Sequence, residues 1–352
     1  MTSKERVMTA LNHRRPDRIP KFDSFWGGFV RKCIRELNLP EGTDLNEHFK
    51  IDIAIVAADE TPFPTRAETI AQDSRSKIFR DGWGRVVRTR EGGYFYEELD
   101  FLIKGRKDLD RVKFDSPYLD SRYKGFNAER FRSSGRCIFC KVGGPYIRSS
   151  FIRGKVNFLM DIAGDPSFAK ALAEKVADHL IEIGRESLRM GDLYDTGVWI
   201  YDDMGNNLQP MMSPASFERI FLPIYKRMVK SFKDAGAAKV CLHSDGNIEP
   251  LLDMLMEAGI DGIHPVEPKA GMHIPTLKAR YGSRLALIGG MCNAHVLPRG
   301  TRREIEAQAR EIIEVAGDGG VIIGSHSIGD DIPVQNYVCY HQVVMREGVF
   351  RG

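Results

Sequence analysis

The 352-residue chain carries no large excess of either charge: 51 Lys and Arg stand against 48 Asp and Glu, a formal net of +3. So even a balance argues against a nucleic-acid or membrane-surface protein, since both concentrate one sign of charge. Long apolar runs are also missing. No stretch approaches the ~20 residues that a membrane helix needs. The N-terminus, MTSKERVMTALNHRRPDRIP, lacks the apolar core of a secretory signal and reads as a short helix ending before Pro16. Cysteine is sparse, with six residues at 33, 137, 140, 241, 292 and 339 and no dense framework, which points to a reducing cytoplasm. Cys137 and Cys140 have CxxC spacing, but they lie in an apolar stretch that reads as a strand. Residues three apart on a strand face opposite sides, so this pair shares no metal. A GxGxxG phosphate turn is absent after the first strands, which disfavours an open doubly wound nucleotide-binding sheet. With no internal repeat or low-complexity linker, residues 1–352 read as one domain.

What is present is regular. Hydrophobic residues make up 42% and charged residues 28%, ordinary for a globular protein. From residue 135 onward, short apolar runs alternate with amphipathic stretches. The runs are Cys137–Val142, Val198–Tyr201, Lys239–Leu242, Gly262–Pro265, Leu285–Ile288 and Val321–Ile323. The intervening stretches 167–190, 213–234, 247–257 and 301–315 have helical periodicity, and alternation of this kind signals a parallel sheet. Arg18–Phe22 and Ile51–Ala57 precede them and bring the strand count to the eight that close a (β/α)8 TIM barrel. Residues 76–105 break the rhythm. They read as an inserted antiparallel β-hairpin, with turns at Asp81-Gly82 and Gly92-Gly93 and a packing cluster of Trp83, Tyr94, Phe95 and Tyr96.

A barrel of this class builds its active site at the C-terminal ends of its strands. Polar and ionisable residues gather there: Asp23, then Asp59 and Glu60, Tyr146, Asp202 and Asp203, His243 and Asp245, Glu267, Asn293 and His326. The opposite ends carry turn chemistry. His243 and Asp245 are two apart, so in extended backbone both point to one side. With Glu267 and His326 they offer two imidazoles and two carboxylates from three strand ends. That donor set suits zinc, and a catalytic zinc keeps one position open, so one of the four is expected to stand outside the shell. Asp245 is the weakest of them, because Asp before Gly246 also suits a helix cap.

The stretches LHSDGNIEPLLDMLMEAGIDGIHPVEP, YGSRLALIGGMCNAHVLPRGT and GVIIGSHSIGDDIPVQNY, together with the opening SKERVMTALNHRRPDRIP, resemble the uroporphyrinogen decarboxylase superfamily across the whole chain. The resemblance implies a (β/α)8 barrel and one of two activities, porphyrinogen decarboxylation or zinc-dependent corrinoid methyl transfer. The decarboxylases carry an Arg-rich signature of the form RQAGRY that grips substrate carboxylates. The matching segment here, Phe22 to Phe29, reads FDSFWGGF and has no arginine until Arg31, which argues against a polycarboxylate porphyrinogen. The methyltransferase branch, which includes methanol- and methylamine-linked methylcobamide:coenzyme M methyltransferases, holds zinc through a His-x-Cys pair and a later Cys. His243 matches the His, Asp245 replaces the first Cys and His326 the second. Glu267 falls where cobalamin-independent methionine synthase, a more distant barrel, uses a glutamate.

Exchange of both thiolates for harder ligands implies a stronger Lewis acid and a poorer leaving group than a thiol. The expected activity is therefore methyl transfer from a methoxylated aromatic, or a similar donor, to cobalt(I) of a corrinoid (cobalamin). The chain has no DxHxxG motif, so the corrinoid would be supplied by a separate partner protein. Trp26, Phe25, Phe63, Tyr146 and Trp199 are the expected walls of the donor site. Asp202 or Asp203 would protonate or orient the departing oxygen, and Asp59 or Glu60 would bond a ring substituent. The alternatives are methyl transfer from a methyl-corrinoid to a thiol or folate, decarboxylation of a smaller acid with Arg66 and Arg148 in its site, and a binding barrel that has lost its chemistry.

Overall fold

The computed structural model describes residues 1–91 and 96–350. The Gly92-Gly93 turn, Tyr94 and Phe95 lie outside the described residues. Twelve strands follow in chain order. β1 (Lys21–Phe22) and β2 (Ile53–Ala57) begin the barrel. β3 (Glu68–Gln72), β4 (Ser76–Arg80), β5 (Val86–Arg90) and β6 (Glu97–Asp100) form a separate antiparallel sheet. β7 (Cys137–Gly143), β8 (Gly197–Tyr201), β9 (Lys239–His243), β10 (Gly262–Val266), β11 (Ala286–Gly290) and β12 (Val321–Gly324) complete the barrel. Its eight strands run in the order β1-β12-β11-β10-β9-β8-β7-β2, every pair parallel. The fold is a TIM barrel with an antiparallel insertion.

The seam between β1 and β2 shows how the sequence closes the ring. β1 is only two residues long, too short to support a ladder alone. Asp52 supplies the missing bonds: its N–H donates to the Lys21 carbonyl at 2.9 Å, and its carboxylate accepts the Lys21 N–H at 2.8 Å. The same buried carboxylate accepts from Arg6 at 2.8 Å, from both terminal nitrogens of Arg18 at 2.9 Å and from Ser3 at 2.7 Å. A buried charge is tolerable only when it is paired and hydrogen-bonded, and this one is.

The barrel interior is filled from the bottom upward. The N-terminal helix Ser3–Leu11, held by a Thr2–Glu5 capping box, inserts Val7, Ala10 and Leu11 into one apolar cluster with Ile51, Ile53, Cys137, Phe139 and Cys241. Above them Trp199, fully buried, meets Phe22 at 5.0 Å and Phe139 at 5.5 Å between ring centroids. Alternation along β7 sends Cys137 inward and Cys140 out to the helical layer, so the CxxC pair is split between two cores. All six cysteines are free thiols.

The insertion is larger than a hairpin. It has four strands and begins at Glu68, because Glu68–Gln72 pairs antiparallel with Ser76–Arg80. Every residue of β3 and β6 is exposed. The sheet is fixed to the barrel through Trp83, whose ring meets Phe151 of the helix Pro145–Arg153 at 5.6 Å and lies under the Arg148 guanidinium. No described helix is long and apolar enough to cross a membrane.

Candidate metal centre at the barrel mouth

Trp199 forms the floor of the site, its ring 5.7 Å from that of His264. One layer higher, Tyr201, His243 and His264 occupy neighbouring positions on β8, β9 and β10, in register with one another. Tyr201 stacks on His243 at 4.4 Å and 15°. His264 places its Nδ1 2.8 Å from His243 Nδ1. Burial, helped by the neighbouring His243 and His326, holds His264 well below the ordinary histidine range, so it is neutral. For His243 Nε2 to offer a lone pair to the mouth, its proton must sit on Nδ1, which then donates to His264.

His243 Nε2 and His326 Nε2 converge on one oxygen. Asp245 Oδ1 lies 3.3 Å from the first and 3.2 Å from the second, and the three donor atoms fall within 4.8 Å of one another. Burial raises the Asp245 acid, but the close His243 imidazole, with His326 and Lys269, outweighs it and holds the acid below its ordinary value. This oxygen is buried and has no aligned hydrogen-bond donor despite its two close nitrogens. Two nitrogens and an oxygen aimed at one point, with the oxygen unsatisfied, fit a zinc ion. Asp245 caps no helix; the short helical turn that follows begins after Ile248.

Glu267 stands on the far side of His326. Its Oε1 is 3.6 Å from His326 Nδ1 and 3.0 Å from Lys269, while Oε2 accepts the Gly246 N–H at 2.7 Å. It therefore ties three strand-end loops together and faces the other nitrogen of the His326 ring. Gly246 is required there. Its φ is +79°, and a Cβ would lie 2.6 Å from the Asn206 carbonyl oxygen.

The other strand-end residues divide into two groups. Asp203 faces the centre, with Oδ1 3.6 Å from His243 Nε2. Asp202 faces away: it is fully buried and accepts from the Tyr146 and Ile147 N–H groups and from Tyr225 OH. Burial raises its carboxyl to about 7 despite those bonds. Asp59 turns its side chain back to Thr61. Glu60 pairs with Arg148 and accepts the Gly143 N–H. Arg66 lies over the Phe63 ring. Phe25 and Trp26 line a cavity of about 790 Å³ that also reaches Tyr201, His243, His264 and His326. Phe63, Tyr146 and Trp199 are buried in packing contacts instead, Phe63 against Phe114 and Tyr146 against Phe158 and Phe221.

Three residues at this mouth escaped sequence reasoning: Tyr201, His264 and Lys141. Each lies within a strand rather than after it. The usable signal was parity, since Lys141 continues the inward series Cys137, Phe139 along β7. Its ammonium lies 4.7 Å from the centre of the Tyr201 ring.

A parallel barrel with a convergent His-Asp-His set at its C-terminal mouth defines a metal-competent TIM-barrel protein. Residues 136–346 match the family described as uroporphyrinogen decarboxylase (URO-D), and the chain belongs to that family. No curated protein matches. Among solved structures, a methyltransferase from Methanosarcina mazei is similar over 99% of both chains, with 16% identity and a TM-score of 0.69. At that identity the likeness is one of fold. A B12-independent methionine synthase from Shewanella sp. covers 94% of this chain and 93% of its own, with 13% identity and a TM-score of 0.46.

Proposed function

We propose that this protein is a zinc-dependent methyltransferase that moves a methyl group from a methoxylated aromatic donor to the cobalt(I) of a corrinoid carried by a separate protein. The observation that carries this reading is the unsatisfied Asp245 oxygen between two imidazole nitrogens at the barrel mouth. Membership of the uroporphyrinogen decarboxylase family and the fold shared with a methyltransferase support it. His243, Asp245 and His326 would hold the zinc, and Glu267 would fix the His326 ring and Gly246. When bound, zinc would supply a Lewis acid that stabilises negative charge on a departing oxygen.

The remaining work falls to the chain itself. Phe25 and Trp26 wall the cavity against the donor ring. The departing oxygen would keep the bonding pair of the C–O bond, and the partner's corrinoid, when bound, would supply the acceptor for the methyl group. Asp203, beside His243 and half exposed, would orient that oxygen and relay a proton to it from solvent. Asp202 supports the same loop from below, by anchoring the start of the helix after β7. Glu60 holds Arg148, and Asp59 shapes its own turn.

The test is metal content and methyl transfer together. Purified wild type should hold about one zinc per chain. His243→Ala, Asp245→Ala and His326→Ala should each lose most of it and lose transfer from methoxyarenes to reduced cobalamin. Full activity in all three metal-free variants would overturn the reading. Transfer detected only from methyl-cobalamin to a thiol would reassign the direction.

A further inference from the structure

The cavity at the centre runs sideways out of the barrel. Along β1 it is lined by Phe22 and Asp23, and along β2 by Ile53, Ala54 and Ile55. Neighbours on a strand face opposite sides. Phe22 and Ile53 point into the barrel interior, whereas Ala54 packs with the helical layer. Asp23 likewise turns outward, to Tyr337 and Tyr340 of the helix Val334–Glu347. A single cavity that meets both faces of two strands passes around their edges, and those edges are open. β1 and β2 stand at the two ends of the strand order, with no ladder between them. Asp52 and Lys21 close the seam at its lower end. Above them, among the described residues, no backbone hydrogen bond joins residues 22–25 to residues 53–57.

The passage lies below the strand tips rather than over them. It touches the first three residues of β2 but neither Val56 nor Ala57. Beyond the seam its walls are Val30 and Ile34 of the helix Gly27–Glu36, with Leu45, Phe131 and Arg136. Leu45 and Arg136 precede β2 and β7, so this outer arm descends toward the N-terminal side of the barrel. Arg136 is already held by Asp44 at 3.0 Å and by Ser134, which leaves the arm mainly apolar. The whole cavity, about 790 Å³, is of the size that holds drug-sized ligands, roughly 300–1,000 Å³, and is more than one methoxylated ring fills.

Building on the function proposed above, we propose that the methyl donor lies through the open seam: its ether end sits at the centre and the rest passes between β1 and β2 into the outer arm. The donors of this protein are then aromatic ethers extended, opposite the ether, by a second ring or an apolar group of similar size. Displacement at a methyl carbon needs the leaving oxygen and the acceptor on opposite sides of that carbon. A donor that occupies the side arm leaves the axial mouth to the acceptor.

The experiment is calorimetric and needs no methyl transfer. The probes are 4-methoxyphenol and 4-(4-methoxyphenyl)phenol, which differ by one ring. They are titrated into wild type, Val30→Trp, Ile34→Trp and Leu208→Trp. Val30 and Ile34 are half-buried on the outer arm, so a larger side chain there fills it, whereas Leu208 is 85% exposed and lies off the cavity. Wild type should bind the two-ring probe about tenfold or more tightly, the effect of burying one further ring. Val30→Trp and Ile34→Trp should lose this preference with their affinity for the one-ring probe unchanged, and Leu208→Trp should keep it. Equal binding of the two probes by wild type overturns the proposal. So does a preference that survives filling at either position or disappears in Leu208→Trp. If one of the filled variants does not fold, the other decides. Absence of methyl transfer from every donor, with the two-ring preference present and removed by filling the arm, would sink the proposed reaction and leave the side arm standing as a binding site.

Discussion

At the scale of single residues, the centre depends on one histidine being held by another. His264 is neutral and buried, and its Nδ1 sets the tautomer and angle of His243. Replacing such a supporting partner typically costs 10–100-fold in metal affinity. His264→Phe should therefore weaken zinc binding by roughly that factor in a chelator competition, with the fold retained. Affinity within about twofold of wild type would show that His264 only fills space. Much of this centre could be read directly from the chain. The two-residue spacing of His243 and Asp245 marked them as a pair aimed one way, and Glu267 and His326 stood out as ionisable residues at later strand ends; the structure brings His243, Asp245 and His326 within reach of one point. Asp202 and Asp203 show what spacing could not separate. Adjacent strand-end residues must point to opposite sides, and which one meets the mouth depends on the packing of Tyr225 and the following helix.

At the scale of elements, barrel closure rests on one carboxylate. Asp52 bridges the two-residue β1 to β2 and neutralises Arg18 and, with Asp17, Arg6. Asp52→Ala would leave buried guanidinium charge uncompensated, and losses of about 3–5 kcal/mol are usual for such a change. The urea midpoint should fall accordingly with little change in slope. A loss under about 1 kcal/mol would show that the seam is held by packing alone. The eight barrel strands were legible because each is a short apolar run bounded by turns. The four-stranded insertion was not fully legible, since the exposed ETIAQ of β3 has no apolar face to announce it. It is a strand because β4 pairs with it.

At the scale of the whole molecule, two linkages are expected. Anything that binds only the native state stabilises it, by about 2.7 kcal/mol at a hundredfold excess over Kd. Zinc should therefore raise the melting temperature of wild type and leave that of His243→Ala nearly unchanged. Equal shifts in the two proteins would place the ion elsewhere. The second linkage runs through Lys21, which is fully buried, 3.1 Å from His341 Nδ1 and over the rings of Tyr337 and Tyr340. Burial lowers its pKa from 10.5 to about 8, against the opposing charges of Asp23 and Asp52. Between these values the unfolded chain binds more protons than the native one, so this residue adds stability as pH rises. From about pH 7.5 to about pH 9.5 wild type should gain roughly 2 kcal/mol relative to Lys21→Met in denaturant unfolding. A gap that stays constant would mean that Lys21 is ionised alike in both states.

The sequence by itself determined the strands, the barrel they form and four candidate ligands at its mouth, His243, Asp245, Glu267 and His326. These follow from local periodicity and from ionisable side chains at strand ends, one pair of them two residues apart. Tertiary structure alone decided that Asp245, rather than Glu267, lies between the two imidazoles, because that depends on how the loops after β9, β10 and β12 meet. It also decided that Trp199, Tyr146 and Phe63 pack inward while Phe25 and Trp26 line the cavity. Tyr201, His264 and Lys141 came to the mouth through the register between neighbouring strands, a relation that periodicity along a single strand does not contain.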